Sequence, residues 1–192
     1  MAINAIMRAA LKALSYPDLD IKKNYKLQRS VDTLAHFHYL KPFYKAWDHT
    51  MTLDDHDIPV RIFLPDYEGP YPVLLFFHGG GWVTGNIDSY DKVCTNLAQL
   101  TGHKVVSVDY RLAPEHRFPA GLDDCYAVAR EIFLSPGLVG ATADQVTLIG
   151  DSAGANLAAA VSLRARDSGE FLPPRQILLY PEIGRASCRE RV

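Results

Sequence analysis

The sequence predicts an α/β protein with a mostly parallel central sheet, and two observations lead to this class. Four short runs are apolar on both faces, as strands buried in a parallel sheet are: Val73–Phe77, Val105–Val108, Val146–Ile149 and Ile177–Tyr180. Helical patterns lie between these runs: Ser89–Leu100, Leu122–Leu134 and the alanine-rich Ala153–Arg166. Strands that alternate with helices along the chain are typical of βαβ units.

The segments before and after these units differ from them. Residues 1–47 carry two helical patterns broken near Pro17, and we expect them to form a helical cap on the rest of the chain. Met51–Leu53 and Val60–Leu64 flank a polar turn and predict an antiparallel hairpin at the start of a core domain over residues 48–181. Residues 182–192 are polar and contain three arginines, which indicates out-of-frame or cloning-adaptor sequence.

Composition excludes several classes of protein. The chain has 192 residues, of which 48% are hydrophobic and 22% charged, which is globular rather than disordered or coiled-coil. The net charge of −2 does not predict a nucleic-acid-binding face, and the sequence lacks an apolar run long enough to span a membrane. Three cysteines without a C-x-x-C pair predict neither a disulfide framework nor a zinc site. A reduced, cytoplasmic setting is therefore expected.

The strongest chemical motif is Gly150–Gly154, with the pattern G-x-S-x-G. It lies where the predicted strand Val146–Ile149 meets an alanine-rich helix, and this context is required of a serine that stands on a sharp strand-to-helix turn. The motif therefore predicts Ser152 as a nucleophile. The simpler alternative is a glycine-rich turn whose serine caps the helix.

A second motif, His78–Trp82, follows the strand Val73–Phe77 and contains three consecutive glycines. Glycines let the backbone aim N–H groups at a substrate, as an oxyanion hole requires. Thr84 stands where a dinucleotide fingerprint would have its last glycine, and the Gly-Lys-Ser/Thr of a P-loop is absent. A plain loop is the remaining alternative, and the G-x-S-x-G motif about 70 residues later argues against it.

Together with Asp109–Ala120, these motifs resemble the hormone-sensitive-lipase-like branch of the α/β-hydrolases, and within it bacterial acetyl esterases and small carboxylesterases. The resemblance implies an α/β-hydrolase fold and hydrolysis of small, short-chain acyl esters without metal or organic cofactor. It implies that Ser152 is the nucleophile and that Gly79, Gly80, Gly81 and Ala153 surround the oxyanion. Asp109–Ala120 resembles a second family signature that buttresses the oxyanion loop.

Four polar residues near these motifs are expected to support loops rather than to react. His78 precedes the oxyanion glycines and is expected to anchor them by hydrogen bonding, with Asp151 as a polar neighbour of the serine turn. Glu115 and His116 are interpreted as anchors of the second signature.

The catalytic triad of this fold runs Ser, then Asp or Glu, then His, yet no histidine follows Ser152 in this sequence. The family's triad acid lies at the end of a strand well downstream of the serine. None of the acidic residues after Ser152 has that context; they are Asp167, Glu170, Glu182 and Glu190. We therefore expect a truncated, inactive part of a serine esterase, with the strand Ile177–Tyr180 exposed as an apolar edge. The alternative is a non-catalytic protein that binds a small ligand on a hydrolase scaffold. The sequence does not predict an oligomeric state.

Overall fold

The structure is a computed structural model, and it describes residues 25–26, 28–30, 46–53 and 55–182. The described chain contains one six-stranded sheet. Its strands are β1 (Ala46–Thr52), β2 (Asp57–Phe63), β3 (Val73–Phe77), β4 (Lys104–Val108), β5 (Val146–Asp151) and β6 (Gln176–Leu179). The spatial order is β1-β2-β4-β3-β5-β6.

The sheet is mixed, as the sequence predicted. Strands β4, β3, β5 and β6 are parallel neighbours, and their carboxyl ends share one edge. The hairpin β1–β2 is antiparallel, and β2 also pairs antiparallel with β4. The first strand begins at Ala46, so Ala46 and Trp47 belong to the sheet and not to the expected cap segment. Of the rest of that segment, residues 25–26 and 28–30 are helical, and the others lie outside the described residues.

Between residues 55 and 182, three α-helices cover the sheet: α1 (Asp91–Thr101), α2 (Ala120–Leu134) and α3 (Ala153–Ser168). Short 3-10 helices, Pro136–Val139 and Ala143–Gln145, connect α2 to β5. Alternate side chains of β3 enter two separate cores. Leu75 and Phe77 belong to the core that includes α2 and α3, whereas Leu74 and Phe76 belong to the core with α1. This two-sided burial is the reason that β3 is apolar at every position.

Strand β6 forms the outer edge of the described sheet and is only partly covered. Ile177 is 42% exposed and Leu179 is 37% exposed, which confirms the expected apolar edge. Of the segment interpreted as adaptor sequence, residues 182–192, only Glu182 lies within the described residues. Within the described chain, no helix is both long and apolar enough to cross a bilayer.

Candidate active site

Ser152 stands on the turn between β5 and α3 in a conformation that serine rarely adopts. Its φ is 49° and its ψ is −116°, a region that costs on the order of 1–3 kcal/mol and persists only where the surroundings impose it. Its backbone N–H donates to the carbonyl oxygen of Leu179 at 2.9 Å, which ties the turn to β6. The half-buried hydroxyl makes no hydrogen bond to any described residue and does not cap α3.

The two outer glycines of the motif are required by close backbone approaches. A Cβ at Gly150 would overlap the backbone carbonyl of Gly154. A Cβ at Gly154 would overlap the carbonyl oxygen of Phe77 and would lie 2.6 Å from that of His78. The first turn of α3 is therefore packed directly on the end of β3, from which the glycine loop departs.

The glycine loop after β3 is a tight turn over Gly80–Thr84. The φ angles are 114° at Gly80 and 62° at Gly81, in the left-handed half of the map that favours glycine. The carbonyl oxygen of Gly80 accepts the N–H groups of Val83 and Thr84 at 3.1 and 3.0 Å. The N–H groups of Gly80, Gly81 and Ala153 have no acceptor within the described part of the chain. These N–H groups could therefore donate to a ligand.

Gly79 differs from the other two glycines. Its N–H donates to Oδ1 of Asp151 at 2.8 Å and approaches the hydroxyl oxygen of Tyr90 at 3.1 Å. Because that N–H already has partners, the expected set of oxyanion donors narrows to Gly80, Gly81 and Ala153. Gly79 instead joins the loop to the serine turn through Asp151, the residue before the serine.

The carboxylate of Asp151 has three hydrogen-bond donors. Besides Gly79, the hydroxyls of Tyr90 and Tyr180 donate to Oδ2 at 2.9 and 3.1 Å. Burial, reinforced by this carboxylate, raises the pKa of Tyr90 well above its usual value, so Tyr90 remains a neutral donor. Asp151 therefore connects the glycine loop, the start of α1 and the end of β6 at one buried point.

His78 is fully buried and is placed to hold the loop, as expected from the sequence. Its Nδ1 donates to the carbonyl oxygen of Gly79 at 2.8 Å, and its ring stacks on Tyr110 with the centroids 4.3 Å apart. Burial lowers the pKa of His78 to about 4, so the ring is neutral near pH 7. An imidazole that is enclosed and hydrogen-bonded to its own loop is poorly placed to take a proton from Ser152.

The second signature, Asp109–Ala120, contacts the glycine loop at two points. The N–H of Ala113 donates to the carbonyl oxygen of Trp82 at 2.9 Å. The hydroxyl of Tyr110 donates to the carbonyl oxygen of His78 at 2.7 Å. These bonds support both ends of the loop, the role expected for this signature.

The two expected anchors in this signature have different environments. Glu115 forms an ion pair with Arg29 at 3.1 Å. The side chain of His116 is exposed and makes no hydrogen bond to a described residue.

None of the described acidic residues after Ser152 makes a hydrogen bond to that serine. Asp167 pairs with its neighbour Arg166, and Glu170 bonds Arg130 and Tyr126 on the outside of α2. Glu182 contacts Asn156 only through its backbone, and Glu190 lies outside the described residues. No group of three or more candidate metal ligands occurs in the part of the chain that the structure describes.

Three contributors to the site were missed in the sequence: Tyr90, Tyr180 and Arg29. Tyr90 and Tyr180 lie beside or within apolar stretches that predicted a helix and a strand, and Arg29 lies in the expected cap. Their hydrogen bonds join residues far apart in the chain, and no local pattern signals such bonds.

Comparison with known proteins agrees with this geometry. A family model described as alpha/beta hydrolase fold matches residues 74–191. An ethyl acetate hydrolase of Pseudomonas putida is 39% identical over 142 residues, which cover 72% of this chain and 44% of the relative. The carboxylesterase NlhH of Mycobacterium tuberculosis is 43% identical over 128 residues, which cover 65% of this chain and 40% of the relative.

Solved structures show the same similarity. An esterase of Pyrobaculum calidifontis superposes with a TM-score of 0.78 at 36% identity, over 94% of this chain and 59% of that protein. A structure described as arylesterase gives a TM-score of 0.76 at 31% identity, over 91% and 59%. The chain therefore spans well under two thirds of the length of these relatives.

Proposed function

The chain belongs to the alpha/beta hydrolase fold family, and from that premise we propose that the whole protein is a serine hydrolase of short-chain carboxylic esters. The observation that carries the proposal is that a strained turn holds a Ser152 hydroxyl with no hydrogen-bond partner among the described residues, and that three backbone N–H groups also lack partners there. These N–H groups belong to Gly80, Gly81 and Ala153.

The proposed reaction is acyl transfer through an acyl-enzyme. The Oγ of Ser152 attacks the ester carbonyl carbon while the serine proton passes to a base, and the base gives that proton to the leaving oxygen as the ester C–O bond breaks and the alcohol departs. Water then attacks the acyl-serine, releases the carboxylic acid and restores the hydroxyl. The N–H groups of Gly80, Gly81 and Ala153 would stabilise the negative charge on the carbonyl oxygen in both steps.

The substrate is proposed to be a small ester with an acetyl-type acyl group. The printed name of the Pseudomonas putida relative supports this size, since it describes hydrolysis of ethyl acetate. The other relatives are named only as esterases or carboxylesterases and so support the reaction more than the acyl length.

We propose that this chain by itself has almost no catalytic activity in that reaction. Its sequence has no histidine after Ser152, and His78 is buried and neutral near pH 7. Removal of the base in another serine hydrolase lowers turnover on the order of a million-fold, because an unassisted serine hydroxyl is a weak nucleophile.

A chromogenic acetate ester tests the proposal on the 192-residue chain and on the protein translated in frame beyond Pro181. We expect rapid hydrolysis only by the longer protein, with loss of activity in Ser152→Ala. Ser162→Ala is the matched control, because Ser162 lies on the same helix and its hydroxyl donates to the carbonyl oxygen of Ala158. Rapid hydrolysis that survives Ser152→Ala would exclude this mechanism.

The absence of a histidine after Ser152 also favours a second candidate, a non-catalytic binder of small acyl compounds. It predicts calorimetrically measurable binding of an ester by the longer protein without turnover. Hydrolysis of the chromogenic acetate ester that depends on Ser152 would exclude this second candidate.

A further inference from the structure

The side chain of Arg29 reaches two loops of the candidate site from the expected cap segment. Its Nε donates to the carbonyl oxygen of Val83 at 2.8 Å, in the tight turn of the glycine loop. Its Nη2 donates to the carbonyl oxygen of Ala113 at 3.0 Å, in the second signature. One guanidinium therefore bonds the backbones of both loops.

Two further contacts of Arg29 fix the plane of its guanidinium group. Nη1 and Nη2 donate to the two carboxylate oxygens of Glu115 at 3.1 and 3.2 Å, a bidentate pair. The ring of Tyr25 lies 4.8 Å from the guanidinium carbon, within the range of a cation–π contact. Arginine alone supplies so many donors in one rigid plane, and lysine cannot reproduce the pattern.

The two carbonyls that Arg29 binds lie at the junction that shapes the glycine loop. The N–H of Ala113 donates to the carbonyl oxygen of Trp82, the neighbour of Val83. Arg29 therefore joins the same two loops that this backbone hydrogen bond already joins. Val83 in turn donates to Gly80, whose own N–H and that of Gly81 point to no described acceptor. Restraint of Val83 therefore restrains the orientation of those two donors.

We propose that Arg29 is a positioning residue. Through it, the segment around residues 25–30 holds the glycine loop in the conformation that leaves the N–H groups of Gly80 and Gly81 available to a ligand. The proposal rests on the proposed function only in naming that loop an oxyanion loop. Arg29 itself needs no contact with substrate. Movement of this segment would then change the donor geometry at Gly80 and Gly81 without any change at Ser152.

Amide hydrogen exchange, followed by NMR on the 192-residue chain, tests this without substrate. The reporters are the N–H groups of Val83, Thr84 and Ala113, whose hydrogen bonds define the junction. In Arg29→Lys we expect these amides to exchange about tenfold faster, because the turn opens locally when its external bonds are lost. Amides of β3 and β5 should retain their wild-type rates.

Arg164→Lys is the matched control. Arg164 also pairs with a carboxylate, Asp123, at 2.5 Å and lies over an aromatic ring, that of Tyr126, at 4.3 Å, but it is bonded to no loop of the site. This variant should leave the three reporter amides unchanged.

Chemical rescue distinguishes positioning from general stability. In Arg29→Ala, added ethylguanidinium should restore slow exchange at the three reporters, whereas ethylammonium should not, because only the planar ion can bond both carbonyls. Unchanged reporter rates in Arg29→Lys would overturn the proposal. Equal acceleration in β3 and β5 would also overturn it. If the chromogenic assay shows that Ser152 is not a nucleophile, these exchange rates still decide the role of Arg29.

Discussion

The buried carboxylate of Asp151 accepts the backbone N–H of Gly79 at 2.8 Å and thereby joins the residue before Ser152 to the first glycine of the loop proposed to bind the oxyanion. The two residues are 72 positions apart in the chain. A Cβ on Gly79 would lie 2.6 Å from Oδ2 of the same carboxylate, so glycine is required for the approach. One side chain therefore links the serine turn to the glycine loop.

Asp151→Ala should destabilise the fold. The substitution leaves the hydroxyl of Tyr90 without its acceptor and leaves the Gly79 N–H with only its longer contact to that hydroxyl, at a cost of about 1–3 kcal/mol in the free energy of unfolding. Urea denaturation measures the change. Asp151→Asn is the matched variant, because its amide oxygen can still accept from Gly79, and it should lose less. Equal losses in the two variants would contradict a role based on the hydrogen bonds.

Gly154→Ala should destabilise the fold through overlap at the base of α3. The new methyl group would overlap the carbonyl oxygen of Phe77, and neither backbone can move without disturbing β3 or the serine turn. Overpacking of this kind costs about 1–3 kcal/mol, and more where the backbone is rigid. Thermal and urea unfolding give the change in stability.

Gly137→Ala provides the control for that substitution. A Cβ at Gly137 meets no atom within 4 Å, and the residue lies in the 3-10 helix Pro136–Val139. Because alanine restricts the unfolded chain more than glycine does, this variant should be neutral or gain up to about 1 kcal/mol. A Gly154→Ala protein as stable as Gly137→Ala would show that the close approach of α3 to β3 is not required.

The parallel strands and the three α-helices could be predicted closely from the sequence because each has a local signature, whereas β1 begins at Ala46, five residues before the predicted Met51. Val73–Phe77 is apolar at every position since two cores bury it, and α3 is rich in alanine. The serine turn was predictable because Gly150 and Gly154 meet unavoidable backbone contacts.

The connections between loops could not be predicted, since they depend on tertiary approach. Arg29 meets Ala113 across 84 positions, and Tyr90 meets Asp151 across 61. The hydrogen bond from the Gly79 N–H to Asp151 is also a contact between distant segments. For this reason the sequence motif alone led to the expectation that Gly79 would surround the oxyanion with the other glycines. A motif predicts which residues occupy a site, whereas the partner of each N–H depends on the packing of distant segments.

His56 should make stability depend on pH near neutrality. Its two ring nitrogens contact Asp124 and Asp55, each at 2.8 Å, and both contacts are satisfied only by the protonated ring. The hydrogen bond to Asp124 is the main cause of a raised pKa for His56, and the nearby Arg111 opposes it. This stabilisation is complete below the ordinary histidine pKa, about 6.5. It is lost as the pH rises through the raised value.

Urea unfolding of the wild type should therefore show falling stability above neutral pH, and His56→Gln should flatten this dependence. The two carboxylates have lowered pKa values, so their stabilisation is fully present near neutral pH and is lost only as the pH falls into the acidic range. His103→Gln is the control, because His103 bonds only the carbonyl of Thr101 within the described chain. An unchanged slope in His56→Gln would contradict the assignment.

The edge strand β6 should cause self-association of the 192-residue chain. Among the described strands it pairs only with β5, and its partly exposed residues Ile177 and Leu179 have no charged residue between them. Unpaired, apolar edges of this kind recruit further strands, and a lysine on the edge opposes this through the cost of burying its charge. Sedimentation velocity should detect oligomers that Ile177→Lys reduces. Leu172→Lys adds the same charge at an exposed position outside β6 and should leave them unchanged. If both variants reduce the oligomers equally, net charge rather than strand pairing governs the association.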